Sequence, residues 1–64
     1  MPYVKIEMFS GRTHEQKRKL VASLTNSLCE NLGCSPDAVW IVIDEKSKEN
    51  WASGGNLISE RTSN

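Results

Sequence analysis

Sixty-four residues make one small domain at most, and a monomer of that size buries only roughly 60% of its unfolded surface. Eight basic and eight acidic residues give zero net charge, which argues against a nucleic-acid or anionic-membrane surface. No apolar run approaches the roughly 20 residues that cross a bilayer, and charges stand where an export signal would carry its apolar segment, so a cytoplasmic chain is expected.

Tyr3-Val4-Lys5-Ile6-Glu7-Met8-Phe9 alternates, with Val4, Ile6 and Met8 on one face and Lys5 and Glu7 on the other, the period of a half-buried strand. Ser10-Gly11 breaks it. Thr13-His14-Glu15-Gln16 follows the capping-box pattern, in which Thr13 accepts from the Gln16 amide and Gln16 reaches back. Leu20, Val21, Leu24, Leu28 and Leu32 then recur at helical spacing, and Gly33 is placed to end the helix in a left-handed conformation. Cys34-Ser35-Pro36-Asp37 reads as a turn, with Ser35 before Pro36 able to open one short helical turn.

Val39-Trp40-Ile41-Val42-Ile43 is an unbroken apolar run whose β-branched residues favour a strand buried on both faces. Strand, amphipathic helix and strand on short links predict a parallel βαβ unit of α/β class. The tail from Lys46 to Asn64 places Gly54-Gly55 among polar residues, which suggests a short C-terminal hairpin. Residues 1–64 are therefore expected to form a single domain. One helix covers one face of a two-stranded sheet, so the Trp40/Val42 side must be covered by another chain. Oligomerisation is the main structural expectation.

Cys29 and Cys34 are four residues apart, which is not a redox CxxC spacing, and without an export signal they are expected as reduced thiols. His14 is the one histidine, so no metal site is expected; in the first helical turn it suits a capping or solvent role. Asp44 and Glu45 are adjacent on a strand and point to opposite faces, which disfavours a shared carboxylate site. Lys17-Arg18-Lys19 reads as a solvated helix face. Gly54-Gly55 lacks the strand–helix context of a phosphate loop.

The order of features is itself informative. Met1-Pro2 precedes a strand, Ser10-Gly11-Arg12-Thr13-x-Glu15-Gln16-Lys17 opens the helix, and Leu32-Gly33, the Val39–Glu45 strand and Asn50-Trp51-Ala52-Ser53-Gly54-Gly55 follow. Over nearly the whole chain this resembles the 4-oxalocrotonate tautomerase family. The resemblance implies a β-α-β subunit whose dimers form four-stranded sheets, three dimers making a hexamer.

It also implies keto–enol tautomerisation of a small 2-oxo or 2-hydroxy acid, with no metal or organic cofactor. In that scheme Pro2, once Met1 is removed, is a secondary amine acting as general base and then acid. An apolar pocket or a nearby cation lowers the pKa of such an amine toward neutrality. By itself, a proline at position two is equally a residue tolerated where no ladder donor is needed. Arg12 matches the arginine that reaches a substrate carboxylate from a neighbouring subunit, a task suited to a permanently charged, two-pronged guanidinium; on its own it reads as a solvated loop arginine. Trp51 matches the pocket aromatic, which is compatible with packing at a subunit interface.

At position 40 the chain departs from the family, whose typical member has a second arginine on strand two. Trp40 offers one indole N–H and no charge, and losing such an electrostatic contact removes on the order of 10²–10³ in rate. Two readings stay open. Either Trp40 and Trp51 line a larger apolar pocket for a substrate with one carboxylate and an aryl or alkyl group, or the chain is half of a hetero-oligomer in which another chain, or Arg61, supplies the cation. A same-fold hydratase or dehalogenase with protonated Pro2 as acid, Glu7 lying in the region where its water-activating group would sit, and a catalytically impaired subunit are the remaining alternatives.

Overall fold

In the computed structural model, which describes residues 1–61, two seven-residue strands, β1 (Tyr3–Phe9) and β2 (Trp40–Lys46), flank one helix, α1 (His14–Leu32). The strands pair in parallel with Tyr3 opposite Trp40, Ile6 opposite Ile43 and Phe9 opposite Lys46. Residues opposite one another share a face, so Val4, Ile6 and Met8 lie with Ile41, Ile43 and Glu45 on the helix side. The outer face carries Tyr3, Lys5, Glu7 and Phe9 beside Trp40, Val42, Asp44 and Lys46.

Both ends of α1 are set by the expected caps. The Gln16 backbone N–H donates to Thr13 Oγ1 at 3.1 Å, and the Thr13 N–H donates to Gln16 Oε1 at 2.9 Å. At the other end Gly33 takes φ 70° and donates its N–H to the Cys29 carbonyl at 2.9 Å. Leu20, Val21, Leu24 and Leu28 are half-buried, whereas Leu32 stays exposed. The reason is length: 19 helical residues run about 28 Å against about 23 Å for the strands, so the last turn outruns the sheet.

Beyond a 3₁₀ turn at Lys48–Asn50, β3 (Ala52–Ser53) and β4 (Asn56–Leu57) form the expected hairpin. Gly54 and Gly55 supply its two positive φ angles, 63° and 85°, as a two-residue primed turn requires. A 3₁₀ turn at Ile58–Glu60 follows, and Thr62 to Asn64 of the expected tail lie outside the described residues. Trp51 ties the hairpin to the body by packing edge-on against Phe9, with ring centroids 5.4 Å apart and planes at 84°.

Within one subunit β2 is covered on its helix side alone, and the expected burial of its second face depends on a covering chain. In the subunit Trp40 is 63% exposed and Tyr3, its opposite, 56%. The strand also runs past the apolar residues to Lys46, because the ladder with β1 continues and ion pairs carry the polar end: Lys46 Nζ lies 2.8 Å from Asp44 and 3.0 Å from Glu7. Among the described residues none is fully buried. The accessible surface is 5017 Å², against about 4,100 Å² for a self-contained monomer of this mass. The radius of gyration is 15.3 Å, against about 11 Å for a compact chain of this length.

The capping box generates a prediction. Thr13→Ala leaves the first-turn N–H groups without their acceptor and is expected to lower unfolding free energy by about 1 kcal/mol in urea titrations. An unchanged midpoint would mean that the first turn is held by tertiary contacts instead.

Candidate active site

Parallel pairing sorts the four candidate residues into two groups. Pro2 and Trp40 share one end of the sheet, where the Trp40 N–H donates to the Pro2 carbonyl at 3.0 Å. Arg12 and Trp51 share the other end. There they line an open cavity of about 290 Å³ together with Glu7, Met8 and Phe9. A seven-residue strand at ~3.3 Å per residue separates the two groups by about 20 Å. Within one subunit Pro2 and Arg12 do not meet.

The Arg12 end is built from three chain segments. β1 ends at Phe9, the Ser10 N–H donates to the Lys46 carbonyl at 3.0 Å, and Gly11 turns the backbone at φ 123°, a conformation open to glycine. Arg12 then precedes the Thr13 cap. Trp51 forms the opposite wall through its contact with Phe9, over whose ring Lys48 Nζ sits 5.7 Å from the centroid. Among the described residues Trp51 Nε1 is buried with no acceptor, so packing and not hydrogen bonding fixes this indole there. Phe9 was not singled out by sequence reasoning, although an apolar residue closing the otherwise charged Lys5/Glu7 face was the available signal.

A second cavity of about 220 Å³ shares Met8 and Arg12 and adds Gln16, Lys17 and Leu20. Here the expected solvated helix face is corrected at Lys17. Its Nζ lies 2.5 Å from Glu45 Oε1, the side chains being 34% and 23% exposed, because the first turn of α1 passes over the end of β2. Lys17, foremost, and the backbone amides of Gly11 and Arg12 hold the Glu45 carboxyl below its ordinary value. Asp44, on the outer face, is lowered chiefly by Lys46, which is itself raised by Asp44 and Glu7. The two adjacent carboxylates thus serve opposite faces, as the alternation requires.

Arg18 pairs with Glu15 at 2.6 Å on the solvent side of α1, an exposed contact of little energetic weight. Arg61 follows the last 3₁₀ turn, exposed, with its N–H on the Ile58 carbonyl at 3.1 Å. Both cysteines are free thiols; partial burial, then the neighbouring Cys34 thiol, raises Cys29, which keeps it protonated and a poor nucleophile. Among the described residues, no three His, Cys, Asp or Glu side chains converge as a metal site would need. Nor is any helix among them long and apolar enough to cross a membrane.

Comparison with known proteins bears on this geometry. The family model described as "Tautomerase enzyme" matches residues 2–61. The 2-hydroxymuconate tautomerase of Bacillus subtilis is 40% identical over 60 residues, covering 94% of this chain and 97% of that protein. A crystal structure of a 4-oxalocrotonate tautomerase homologue superposes with a TM-score of 0.90 at 33% identity, covering 98% of this chain and all of the other. A second such homologue gives 0.88 at 38% identity over 95% of this chain.

Two predictions follow from the side chains at this end. Trp51→Phe removes an unsatisfied donor while keeping the contact with Phe9, so stability is expected to stay within about 1 kcal/mol or rise; Trp51→Ala is expected to lose about 2 kcal/mol. Chemical denaturation of both variants decides, and a large loss in Trp51→Phe would show that the indole N–H has a partner. For pH, Asp44 and Glu45 titrate lower when folded than at their ordinary 3.8 and 4.5. Their contribution is therefore complete above those values and is lost as pH falls through the lowered ones. Thermal midpoints are expected to drop on acidification below 4.5, with a shallower drop in Glu45→Gln.

Proposed function

The chain belongs to the tautomerase family, and from that premise we propose that it interconverts the keto and enol forms of a small 2-oxo or 2-hydroxy acid, using Pro2 as the proton carrier. The observation that carries this reading is the division of Pro2 and Arg12 between opposite ends of one strand pair. A site containing both is formed by two copies, and a two-fold axis across the strands sets the Pro2 end of one beside the Arg12 end of its partner. The exposed Tyr3, Trp40 and Val42 on the outer face support assembly, since apolar surface of this kind favours burial by another chain. A homohexamer of three dimers is the assembly proposed.

Chemistry begins with loss of Met1. Its side chain is 82% exposed, so removal takes away little packing, while the Pro2 carbonyl stays anchored by the Trp40 N–H at 3.0 Å. The freed secondary amine is kept neutral by apolar walls and by the positive charge of Arg12 from the neighbouring copy. Its lone pair takes the enol hydroxyl proton as the electron pair moves through the conjugated carbons. The resulting ammonium then delivers that proton to carbon, giving the ketone and restoring the amine. Arg12 holds the substrate carboxylate in a bidentate pair, and Trp51 and Trp40 form the walls that exclude water. No cofactor takes part in this scheme.

Trp40 decides the substrate class within the proposal. An uncharged, exposed indole beside Pro2 favours a substrate with one carboxylate and an apolar group over a dicarboxylate. The test is an ultraviolet assay on Met1-free protein with 2-hydroxymuconate and phenylenolpyruvate, and Pro2→Ala as control. Faster turnover of the aryl enol is expected, with kcat reduced about 10²–10⁴-fold in Pro2→Ala. Faster turnover of the dicarboxylate overturns the assignment of Trp40, and consumption of neither above the control overturns the proposal.

The shared site has its own test. Pro2→Ala and Arg12→Ala chains, each deficient alone, are expected to regain activity when unfolded together and reassembled, because mixed interfaces pair an intact Pro2 with an intact Arg12. Absence of recovery in assembled mixtures would place both residues in one subunit's site.

A further inference from the structure

Arg12 stands between two fixed points. Ser10 is bonded to the end of β2 and Thr13 is locked in the capping box, while among the described residues the Arg12 guanidinium has no ion pair or hydrogen bond. Glu45 lies opposite Met8 in the ladder, so its side chain is on the helix side of the sheet, where it meets Lys17 in the first turn of α1. Lys17, which lines the same cavity as Arg12, donates to that carboxylate at 2.5 Å, and the Lys17 backbone N–H is bonded to the Thr13 carbonyl at 3.1 Å. One carboxylate thereby links the end of β2 to the first turn of α1, whose Lys17 is tied to Thr13, the residue after Arg12. The Gly11 and Arg12 amides favour its charged form, which supports the same connection.

This contact has a second effect. Lys17 and Arg12 are two cations on one cavity wall, and either alone would attract a carboxylate. Pairing with Glu45 neutralises Lys17 and leaves Arg12 as the cation open to an anion. We propose that Glu45 is a positioning residue: through Lys17, whose backbone is tied to Thr13, it holds the start of α1 and so orients the Arg12 guanidinium toward the substrate carboxylate, and it keeps Lys17 from competing for it. This rests on the reading of Arg12 as the carboxylate anchor.

The test uses Glu45→Gln, Lys17→Arg, Lys17→Met and Arg12→Ala in the assembled enzyme, with steady-state kinetics on the better of the two enol substrates. Glu45→Gln is expected to raise KM about tenfold with kcat within about twofold, and Lys17→Arg to keep KM near the parent value. In the Arg12→Ala background, Glu45→Gln is expected to add nothing further to KM. The pH profile of kcat, which reports the Pro2 amine, is expected to stay in place in Glu45→Gln. An equal loss from Glu45→Gln with and without Arg12 would reduce Glu45 to a structural role and overturn the proposal. So would an unchanged KM in Glu45→Gln where Arg12→Ala raises it. An unchanged KM in Arg12→Ala removes the carboxylate-anchor reading itself, and the proposal with it. Should Glu45→Gln fail to assemble, Lys17→Met breaks the same contact from the helix side and is expected to raise KM in the same direction but by less, since it also removes the competing cation; an unchanged KM there overturns the positioning role.

Discussion

Parallel pairing of β1 with β2 is the constraint from which the remaining geometry follows. A parallel pair gathers both strand beginnings at one end and both strand endings at the other, and a single helix must span the length between them. Pro2 and Trp40 are thus held together by one backbone hydrogen bond, while the Ser10–Thr13 loop and the hairpin emerge together at the far end. An antiparallel pair with the same residues would place Pro2 beside the end of β2. The direction of β2 therefore decides which tryptophan stands beside Pro2 and which beside Arg12, whereas the length of β1 by itself keeps Pro2 and Arg12 apart.

Charge is distributed according to the same alternation. On the outer face Lys46 bridges Asp44 and Glu7, with Lys5 3.8 Å from Asp44, so the polar half of that face is internally neutral. Its apolar half, Tyr3 with Trp40 and Val42, is left exposed in the subunit. On the helix face the pair Lys17–Glu45 closes the end of the sheet, where Arg12 has no ion pair among the described residues. The zero net charge of the whole chain conceals this local contrast between the paired Lys17 and the Arg12 guanidinium beside it, which has no ion pair among the described residues.

Local signals in the sequence were sufficient for several elements whose geometry is local, though not for the 3₁₀ turns at Lys48–Asn50 and Ile58–Glu60. The Val4/Ile6/Met8 alternation, the Thr13–Gln16 box, the Gly33 stop and the Gly54-Gly55 turn each depend on contacts within a few residues, and each is realised. What lay beyond reach depends on distance in space. Lys17 and Glu45 are 28 positions apart, and nothing in either neighbourhood marks the pairing. The openness of Trp40 in the subunit was legible from element counting, since one helix covers one face of a two-stranded sheet, and not from the apolar β-branched run itself. Phe9 looked like the last residue of a strand and is also the peg on which the hairpin hangs. The candidate residues themselves were legible through family resemblance, but their separation into two groups required the direction and register of the strands.

The chain has two tryptophans, and the fold assigns one to each end. Trp40 faces solvent in the subunit, whereas the Trp51 indole is packed against Phe9 with its nitrogen enclosed. Their emission is therefore resolvable by environment, one indole in a polar medium and one in an apolar medium, without any introduced label. Replacing either with phenylalanine isolates the other, so the chain carries an intrinsic optical probe at each end of its sheet, one sensitive to the covering of the open face and one to the seating of the hairpin.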